Sequence, residues 1–362
     1  MFMKEMTLSI KVINTHFLLL FFALTTGCFS HSPKDRFLDY QQRIANVQQS
    51  ELLPSPSISL VELPAKRELT KEIPRTTLGL VDSYQLRKCN LFGLIAERNS
   101  VLGKVQDQFR NFDYQLQLID GLERCLTSNQ IEPELKESLE QILDIKYQYL
   151  PDYFFNLVYT SDAMRMQLSG ADWIIMRDAS LALQIKEPLK AFNDVAKFIA
   201  SRERATLERP PLLTGYQEIL EKQNVIGRLA FSLEASQLWL QTITTQLNQY
   251  DDNIPCGKNR NMERFNYLVN VFNNVFVKEV QPYLSYLDSE YQALSAQTHF
   301  VSDLLTTYKE NSDSLERRHL AFKQANRAHV TIGSVFLNVV VAAFLRWLCN
   351  SDHLSHSFSR IR

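Results

Sequence analysis

The sequence predicts an all-α protein, an elongated helical bundle with long coiled-coil-like helices. Only 10 glycines occur in 362 residues, which is too few for the many turns of a multi-stranded fold, because average usage is about 7%. Apolar residues recur at steps of three and four along several segments, as on one face of a helix. One segment also carries them at steps of seven, as in a coiled coil.

The first 27 residues have the layout of an export signal. Lys4 and Lys11 precede the apolar run 17–24, and small residues then lead to Cys28. The run has about 8 residues, far fewer than the roughly 20 of a permanent membrane helix, so cleavage is favoured. Cleavage before a cysteine resembles lipoprotein processing, in which acyl chains such as palmitate anchor the product. An ordinary cleaved signal and an uncleaved anchor are the alternatives.

Residues 28–78 are interpreted as a membrane-proximal helix followed by a proline-rich segment. An amphipathic helix is expected over 33–49. Residues 50–78 cannot sustain a long helix, because prolines interrupt them, and they are expected to form an extended tether or a wrapping arm. These prolines are Pro54, Pro56, Pro64 and Pro74.

Three helices are predicted at the start of the α-helical body, which spans 79–329. The first two cover 79–102 and 106–127, and the third begins at Pro133, where a first helical turn tolerates the missing N–H. Pro151 is expected to break the third helix. The buried stripe of the second helix consists of Phe109, Phe112, Leu116, Ile119, Leu122 and Leu126, and that of the third of Leu135, Leu139, Ile142, Ile145 and Tyr149.

The stretch 152–187 is aromatic and irregular in period, and we interpret it as helical. Its aromatic residues either fill the core or line a pocket, and core packing is the favoured interpretation. Pro188 is expected to start the next helix. The aromatic residues are Tyr153, Phe154, Phe155, Tyr159 and Trp173.

Long helices are predicted toward the end of the body. Thr214 and Gln217 form a capping-box pattern at the start of a helix over 214–250, which would span about 54 Å. A shorter helix over 262–280 follows, and the apolar pattern resumes after Pro282. The sevenfold spacing of the long helix comes from Ile219, Ile226, Leu233, Leu240 and Leu247.

The C-terminal tail, 330–362, begins with an uncharged apolar stretch over 330–345. This stretch is too short for a comfortable membrane span. We expect a buried or edge-packed terminal segment, with a second membrane contact and disorder as the alternatives.

Four cysteines remain besides Cys28, which is enough for two disulfides in an oxidising compartment. They are Cys89, Cys125, Cys256 and Cys349. We favour a bridge between Cys89 and Cys125, which lie on consecutive predicted helices, and such a bridge would contribute about 3–4 kcal/mol. Buried free thiols are the alternative.

Charge and motifs exclude several classes of function. The net charge is −1 and the basic residues form no stripe, so a nucleic-acid partner is not expected. The sequence contains no phosphate-binding glycine loop, no His-Glu-x-x-His helix and no Gly-x-Ser-x-Gly elbow. Cysteine and histidine spacings indicate no zinc site. We expect no cofactor and no metal.

The most unusual polar cluster begins at Glu97 and follows an apolar run. At least one of its residues is expected to face the core and to need a partner at the start of the next helix. A helix-packing network is the favoured interpretation, ahead of a ligand or partner site and of acid–base catalysis. The candidate residues are Glu97, Arg98, Asn99 and Ser100 with Asp107, Arg110 and Asp113.

The strings Leu-Arg-Lys-Cys-Asn-Leu at 86–91 and Leu-Ile-Ala-Glu-Arg-Asn-Ser-Val-Leu-Gly-Lys at 94–104 resemble DUF3080, a family of uncharacterised lipoproteins of Gram-negative bacteria. The similarity extends over about 33–329. It implies a location in the envelope and supplies no catalytic residue. For lipoproteins of this class, Phe29 after Cys28, in place of Asp, implies sorting to the outer membrane.

The expected function is a lipid-anchored outer-membrane protein facing the periplasm, which serves as a binding or structural component with an envelope protein as partner. It is not expected to be an enzyme. The alternatives are a hydrolase of envelope polymers that uses Glu97 or Asp107, and a helical carrier of an apolar ligand.

Overall fold

The computed structural model describes residues 32–77, 79–176, 179–201, 207–255, 261–301 and 314–337. Its regular elements are helical, which confirms the all-α prediction, and the extended exception in these ranges is one bridge between Val61 and Gly170. The α-helices are α1 (Pro33–Gln48), α2 (Lys66–Leu69), α3 (Leu80–Gln85), α4 (Phe92–Asn99), α5 (Gln108–Thr127), α6 (Pro133–Thr160), α7 (Asp162–Leu168), α8 (Leu181–Ala200), α9 (Gln217–Lys222), α10 (Ile226–Gln249), α11 (Glu263–Val271), α12 (Gln281–Leu294) and α13 (Leu315–Leu337).

Two hydrophobic cores hold these helices together. The larger core draws buried residues from α1 and from most helices between α5 and α13. The smaller core lies between the α5–α6 hairpin and the short helical turn Leu86–Cys89. Its buried members are Leu86, Cys89, Leu91, Leu118, Leu122, Cys125, Ile131, Leu135 and Leu139.

Helix α1 is a core helix. Ser32 and Asp35 form a capping box at its start, which pairs backbone N–H groups that the first turn leaves free. The Phe37 ring lies between two tryptophan rings, with centroids 5.9 Å from Trp173 and 6.1 Å from Trp239. The predicted helix over 33–49 is therefore present, and its apolar face is buried inside the protein.

The proline-rich segment after α1 lies against the body. The Leu53 amide donates a hydrogen bond of 2.8 Å to Gln246 Oε1, and Leu53 O accepts one from Gln41. Farther along, the backbone of Lys71 exchanges two hydrogen bonds with the side-chain amide of Asn156. Side chains of the body thus pair the backbone groups of a segment that has no helix to pair them.

The predicted helix over 79–102 is wrong as a single helix. The structure has α3, a 3-10 turn over Leu86–Cys89, and then α4. The separation lies at Asn90, which adopts a left-handed conformation with φ of 60°. Leu91 follows and is fully buried. Its side chain packs where Gly121 carries no Cβ, so packing against α5 decides where this helix is interrupted.

Two predicted proline boundaries are also wrong. Pro151 lies inside α6, and Pro188 lies inside α8, which begins at Leu181. Each proline removes one helical hydrogen bond, but core residues on both sides keep the helix in place. Residues 169–176 are not helical, contrary to the interpretation of 152–187.

The predicted helix over 214–250 is divided at residues 223–225 into α9 and α10. Thr214 lies in a 3-10 turn, and the N-cap residue of α9 is Tyr216, whose side chain makes no capping hydrogen bond. The side chain of Gln167 bonds across the division, donating to the carbonyl oxygens of Leu220 and Gln223 and accepting from the Val225 amide. Because of the division, Ile219 is 40% exposed, and the buried sevenfold pattern begins only at Ile226, with Leu233, Leu240 and Leu247.

Two glycines permit the closest backbone contact of this region. A Cβ atom on Gly170 would lie 2.1 Å from Gly227 O, and one on Gly227 would lie 2.0 Å from Ser169 O. Gly170 also pairs with Val61 through two backbone hydrogen bonds of 2.9 Å. The start of α10, the strand-like residues after α7 and the proline-rich segment therefore meet at one point.

Helix α11 continues into a π-helix over Phe272–Val280 and then into α12. The sequence predicted a helix end near 280 and a new start after Pro282. The structure instead has one continuous helical run, with Pro282 in the first turn after the π segment. The π-helical turns thus come directly before Pro282, which lacks the N–H group of a helical hydrogen bond.

His329 of α13 is fully buried next to this π segment. Its Nε2 lies 3.0 Å from the Tyr40 hydroxyl, and its Nδ1 lies 3.0 Å from Thr244 Oγ1. Its ring centroid is 4.8 Å from that of Phe276. Burial lowers the pKa of His329 to about 3, so the folded protein holds the neutral ring.

We predict that Gly227→Ala lowers the free energy of unfolding by about 2–3 kcal/mol, because the new methyl group overlaps the backbone of Ser169. Urea denaturation followed by circular dichroism measures the change. Gly93→Ala is the control, since a Cβ there meets no atom within 4 Å, and it should be neutral or stabilising by up to about 1 kcal/mol. Equal effects of the two substitutions would contradict the close contact.

We also predict that His329 makes the protein sensitive to acid. The unfolded chain binds a proton at His329 below pH about 6.5, whereas the folded protein does so only near its pKa of about 3. Stability is therefore lost as pH falls through this window, by up to about 1.4 kcal/mol per pH unit. Urea denaturation between pH 4 and 7 should show a shallower pH dependence for His329→Gln than for the wild-type protein. An unchanged slope for this variant would refute the assignment.

Candidate functional site

Arg98 is the centre of the polar cluster that the sequence indicated. Its guanidinium donates to Gly103 O and to Gln106 Oε1, each at 2.6 Å, and to Asn111 Oδ1 at 3.0 Å. The guanidinium also lies 5.3 Å from the centre of the Tyr114 ring. The arginine therefore ties the end of α4 to the following loop and to α5 through neutral acceptors.

The other candidate residues do not join Arg98. The side chains of Glu97, Asn99 and Arg110 are exposed at the surface. Asp107 caps α5, where one of its carboxylate oxygens accepts the Arg110 amide at 2.9 Å. The expected pairing of Arg98 or Glu97 with Asp107, Arg110 or Asp113 is wrong. The carboxylates of Asp107 and Asp113 accept backbone amides instead.

Asp113 shows this most clearly. It is 5% exposed and accepts the backbone amides of Leu213 and Thr214, both at 2.8 Å. Burial raises the pKa of Asp113, and the hydrogen bonds from Thr214 and Leu213 oppose the rise. The residue anchors the chain before α9 to α5 and does not reach Arg98.

Lys146 of α6 is a residue that the sequence analysis missed. It is 6% exposed, and its Nζ lies 5.6 Å from the centre of the Tyr153 ring. Burial and, second, the charge of Arg98 lower the pKa of Lys146 to about 8. Burial raises the pKa of both Tyr114 and Tyr153, and Arg98 opposes the rise. Arg98 is thus close enough to act electrostatically on Lys146 and on both phenols.

A sequence signal for Lys146 did exist. It stands seven residues after Leu139, at the step that continues a buried helical stripe. The predicted stripe instead ran through Ile145 and Tyr149, which are only half-buried. A lysine on the buried side of an otherwise apolar pattern indicates a candidate site residue, as the polar run at Glu97 does.

The loop after α4 exposes a group of aliphatic side chains. Val101 is 84% exposed, Leu102 is 83% exposed and Val105 is 79% exposed. Gly103, between them, is buried, and a Cβ there would lie 2.2 Å from Glu97 O. The glycine therefore lets the loop fold tightly onto the end of α4, while its aliphatic side chains point to solvent.

A disulfide joins Cys89 to Cys125, which is the pairing favoured from the sequence. It connects the turn before α4 to the end of α5, and both residues belong to the smaller hydrophobic core. The bridge therefore attaches the segment that carries Arg98 to the α5–α6 hairpin that carries Lys146.

Four of the five aromatic residues that the sequence offered as a pocket lining are core residues. Phe154 and Phe155 are each 1% exposed, and Trp173 is 7% exposed. The Phe154 ring packs against the rings of Phe112 and Phe192 at 5.5 and 5.9 Å. Core packing is therefore the correct interpretation of Phe154, Phe155, Tyr159 and Trp173, whereas Tyr153 is only half-buried.

A second polar cluster joins α12 to α13. His319 Nε2 lies 2.6 Å from Asp288 Oδ1, and Lys323 donates to Oδ2 of the same aspartate at 3.0 Å. The His319 ring stacks on Tyr291 with 3.7 Å between centroids. Burial opposes ionisation of Asp288, but the hydrogen bonds from His319 and Lys323 lower its pKa. The histidine and its aspartate are 31 residues apart, so spacing alone did not indicate the pair.

A shallow cavity of about 250 Å³ lies between α10 and α13 and is lined by neutral side chains. Within the described ranges, no histidine, cysteine and carboxylate side chains form a group of three or more that could hold a metal ion. No helix in this part of the chain combines the length and apolarity needed to cross a membrane. The cavity lining comprises Gln237, Gln241, Thr244, Ala321, Gln324, Ala325 and Ala328.

Comparison with known proteins agrees with the resemblance noted in the sequence. A model of DUF3080, described as a protein of unknown function, matches residues 37–338, which is most of the chain. No curated protein and no solved structure matches the chain. The match thus begins within α1 and includes the end of α13. The protein belongs to the DUF3080 family.

Proposed function

We propose that the protein is an outer-membrane lipoprotein that faces the periplasm and serves as a binding or structural component. The observation that carries this proposal is the N-terminal sequence, in which a basic start, a short apolar run and small residues precede Cys28. Acylation of Cys28 would bury several chains at about 0.8 kcal/mol per CH₂, which is enough for stable attachment.

The disulfide supports an exported location. Cys125 is fully buried and Cys89 is 8% exposed, and the bridge holds the smaller core together. Structural disulfides persist in oxidising compartments such as the bacterial periplasm, and they are rare in the reducing cytosol. A bridge built into the body therefore agrees with a leader that directs export.

A binding role is favoured over the two alternatives. The hydrolase alternative needs Glu97 or Asp107 in a cleft, but Glu97 lies at the exposed surface and the Asp107 carboxylate caps α5. The carrier alternative needs space beside the aromatic segment, but Phe154 and Phe155 pack against other side chains. The exposed aliphatic loop 100–106, in contrast, is a surface of the kind that contacts a partner or a membrane.

We predict that Cys28→Ser abolishes acylation and releases the protein from the outer membrane. Intact-mass measurement, incorporation of labelled palmitate and gradient fractionation of envelopes would detect the loss. Cys256→Ser is the matched control and should behave as wild type. An unmodified thiol at Cys28 in the native protein, or unchanged fractionation of Cys28→Ser, would contradict the anchor.

The binding role has a separate readout. Crosslinking of intact envelopes followed by purification of the wild-type protein should recover a discrete partner, which Cys28→Ser should recover less because it is not retained at the membrane. If the wild-type protein is crosslinked to no other envelope component, the proposed role fails even where the anchor is proved.

We further predict that Cys89→Ser with Cys125→Ser lowers the free energy of unfolding by about 3–4 kcal/mol, because the bridge restricts a loop of 36 residues in the unfolded chain. Urea denaturation with and without a reducing agent measures the effect. The wild-type protein should become less stable when it is reduced, and the double variant should not respond. A stable, reductant-insensitive wild-type protein would show that the bridge is absent.

A further inference from the structure

Lys146 is a buried cation without an acidic partner among the described residues. Its side chain is buried, and among the described residues it forms neither an ion pair nor a hydrogen bond with a carboxylate. A buried ammonium group without a counter-charge is costly, because desolvation is not repaid by attraction. Nζ lies 5.6 Å from the centre of the Tyr153 ring, and this cation–π contact offsets only part of the cost.

Arg98 adds a second charge to the same region without neutralising the first. The described protein groups that it binds are the Gly103 carbonyl and two side-chain amides, and none is charged. The Arg98 guanidinium lies 5.3 Å from the centre of the Tyr114 ring, and Lys146 Nζ lies 5.6 Å from that of Tyr153. Burial and, second, the charge of Arg98 lower the pKa of Lys146. Two cations and two phenol groups thus lie together, and this donor-rich composition suits the oxygens of a phosphate.

The loop fixed by Arg98 identifies where such a phosphate would come from. Val101, Leu102 and Val105 are each at least 79% exposed, so the loop presents its apolar side chains outward. The exposed charged residues between 87 and 110 are Arg87, Lys88, Lys104 and Arg110 against Glu97 and Asp107, which leaves an excess of positive charge. An apolar tip with basic residues behind it matches the surface of a bilayer that contains anionic lipids.

We propose that loop 100–106 inserts into an anionic lipid surface and that Arg98 and Lys146 bind the phosphate of a lipid headgroup. Loop insertion would place aliphatic side chains among acyl chains, while the headgroup phosphate would supply the missing counter-charge. The contact extends the proposed function. It rests on that function in one respect, which is that the protein is close to a membrane. It would give the protein a second attachment to a membrane, independent of Cys28.

Vesicle flotation tests the contact in the full chain carrying Cys28→Ser, so that acyl chains take no part. Partition is measured with phosphatidylcholine vesicles that contain or lack phosphatidylglycerol, and the readout is the ratio of the two. The contribution of residues 1–27 is common to every variant. Lys146→Gln should lower the ratio about fivefold, as expected for one charge near the surface. Lys146→Arg, which keeps the charge, should retain most of the binding.

Leu102→Asp should lower partition into anionic vesicles about tenfold, because it removes buried apolar area and adds a negative charge. The matched controls are Leu183→Asp and Lys190→Gln, at exposed positions of α8, and both should bind as the parent does. Thermal unfolding of each variant shows whether it is folded.

Several outcomes would overturn the proposal. They are absence of any preference for phosphatidylglycerol, equal loss in the test and control variants, and binding of inorganic phosphate that depends on Lys146 while vesicle binding does not. The last result would assign the site to a free phosphate. Because every variant lacks the Cys28 thiol, failure here leaves the lipoprotein anchor untouched, and failure of acylation leaves this contact untouched.

Discussion

The packing of this protein depends on the contact between the backbones of Gly170 and Gly227. Neither position has room for a Cβ atom, and Gly170 is held on its other side by the bridge to Val61. The start of α10 is therefore pressed against the chain that leaves α7, and the proline-rich segment is attached at the same place. Helix α10 then carries Trp239 into the core, where it stacks on Phe37 of α1. A close backbone approach thus sets the positions of elements that are far apart in sequence.

Buried polar side chains stabilise this arrangement, because they form hydrogen bonds with the backbone groups that the interrupted helices leave unpaired. Gln167 serves the division before α10, and Asp113 serves the chain before α9. Glu290 is 1% exposed and accepts the Ala182 amide at the start of α8 at 2.6 Å. Each of these residues acts on a helix other than its own. Their role is architectural, and it explains why acidic and amide side chains lie deep in a protein whose described part shows no metal group.

Local patterns in the sequence were sufficient for the helical class, for α1, for the start of α6 at Pro133 and for the cysteine pair. They were insufficient wherever tertiary contacts outweighed local preference. Pro151 and Pro188 stay inside helices because their neighbours are buried, whereas the promising run before Ile226 is divided because Gln167 stabilises the division. The candidate site was found in part. Arg98 was named, but its expected partners were carboxylates, since pairing by charge is the simplest inference from a sequence. Lys146 was missed because the buried stripe predicted for its helix ran through Ile145 and Tyr149 instead.

The capping box at Ser32 has a consequence for how an acylated Cys28 would hold the protein. Only three residues separate Cys28 from Ser32, and four peptide steps reach about 14 Å at full extension. From Pro33 onward the chain forms a buried helix, so residues after Ser32 would not lengthen the linker between the anchor and the body. The body would therefore lie directly on the lipid surface and could rotate only about the attachment point near Ser32. It would extend from the membrane no farther than its own length. A partner would have to come to the bilayer to meet it.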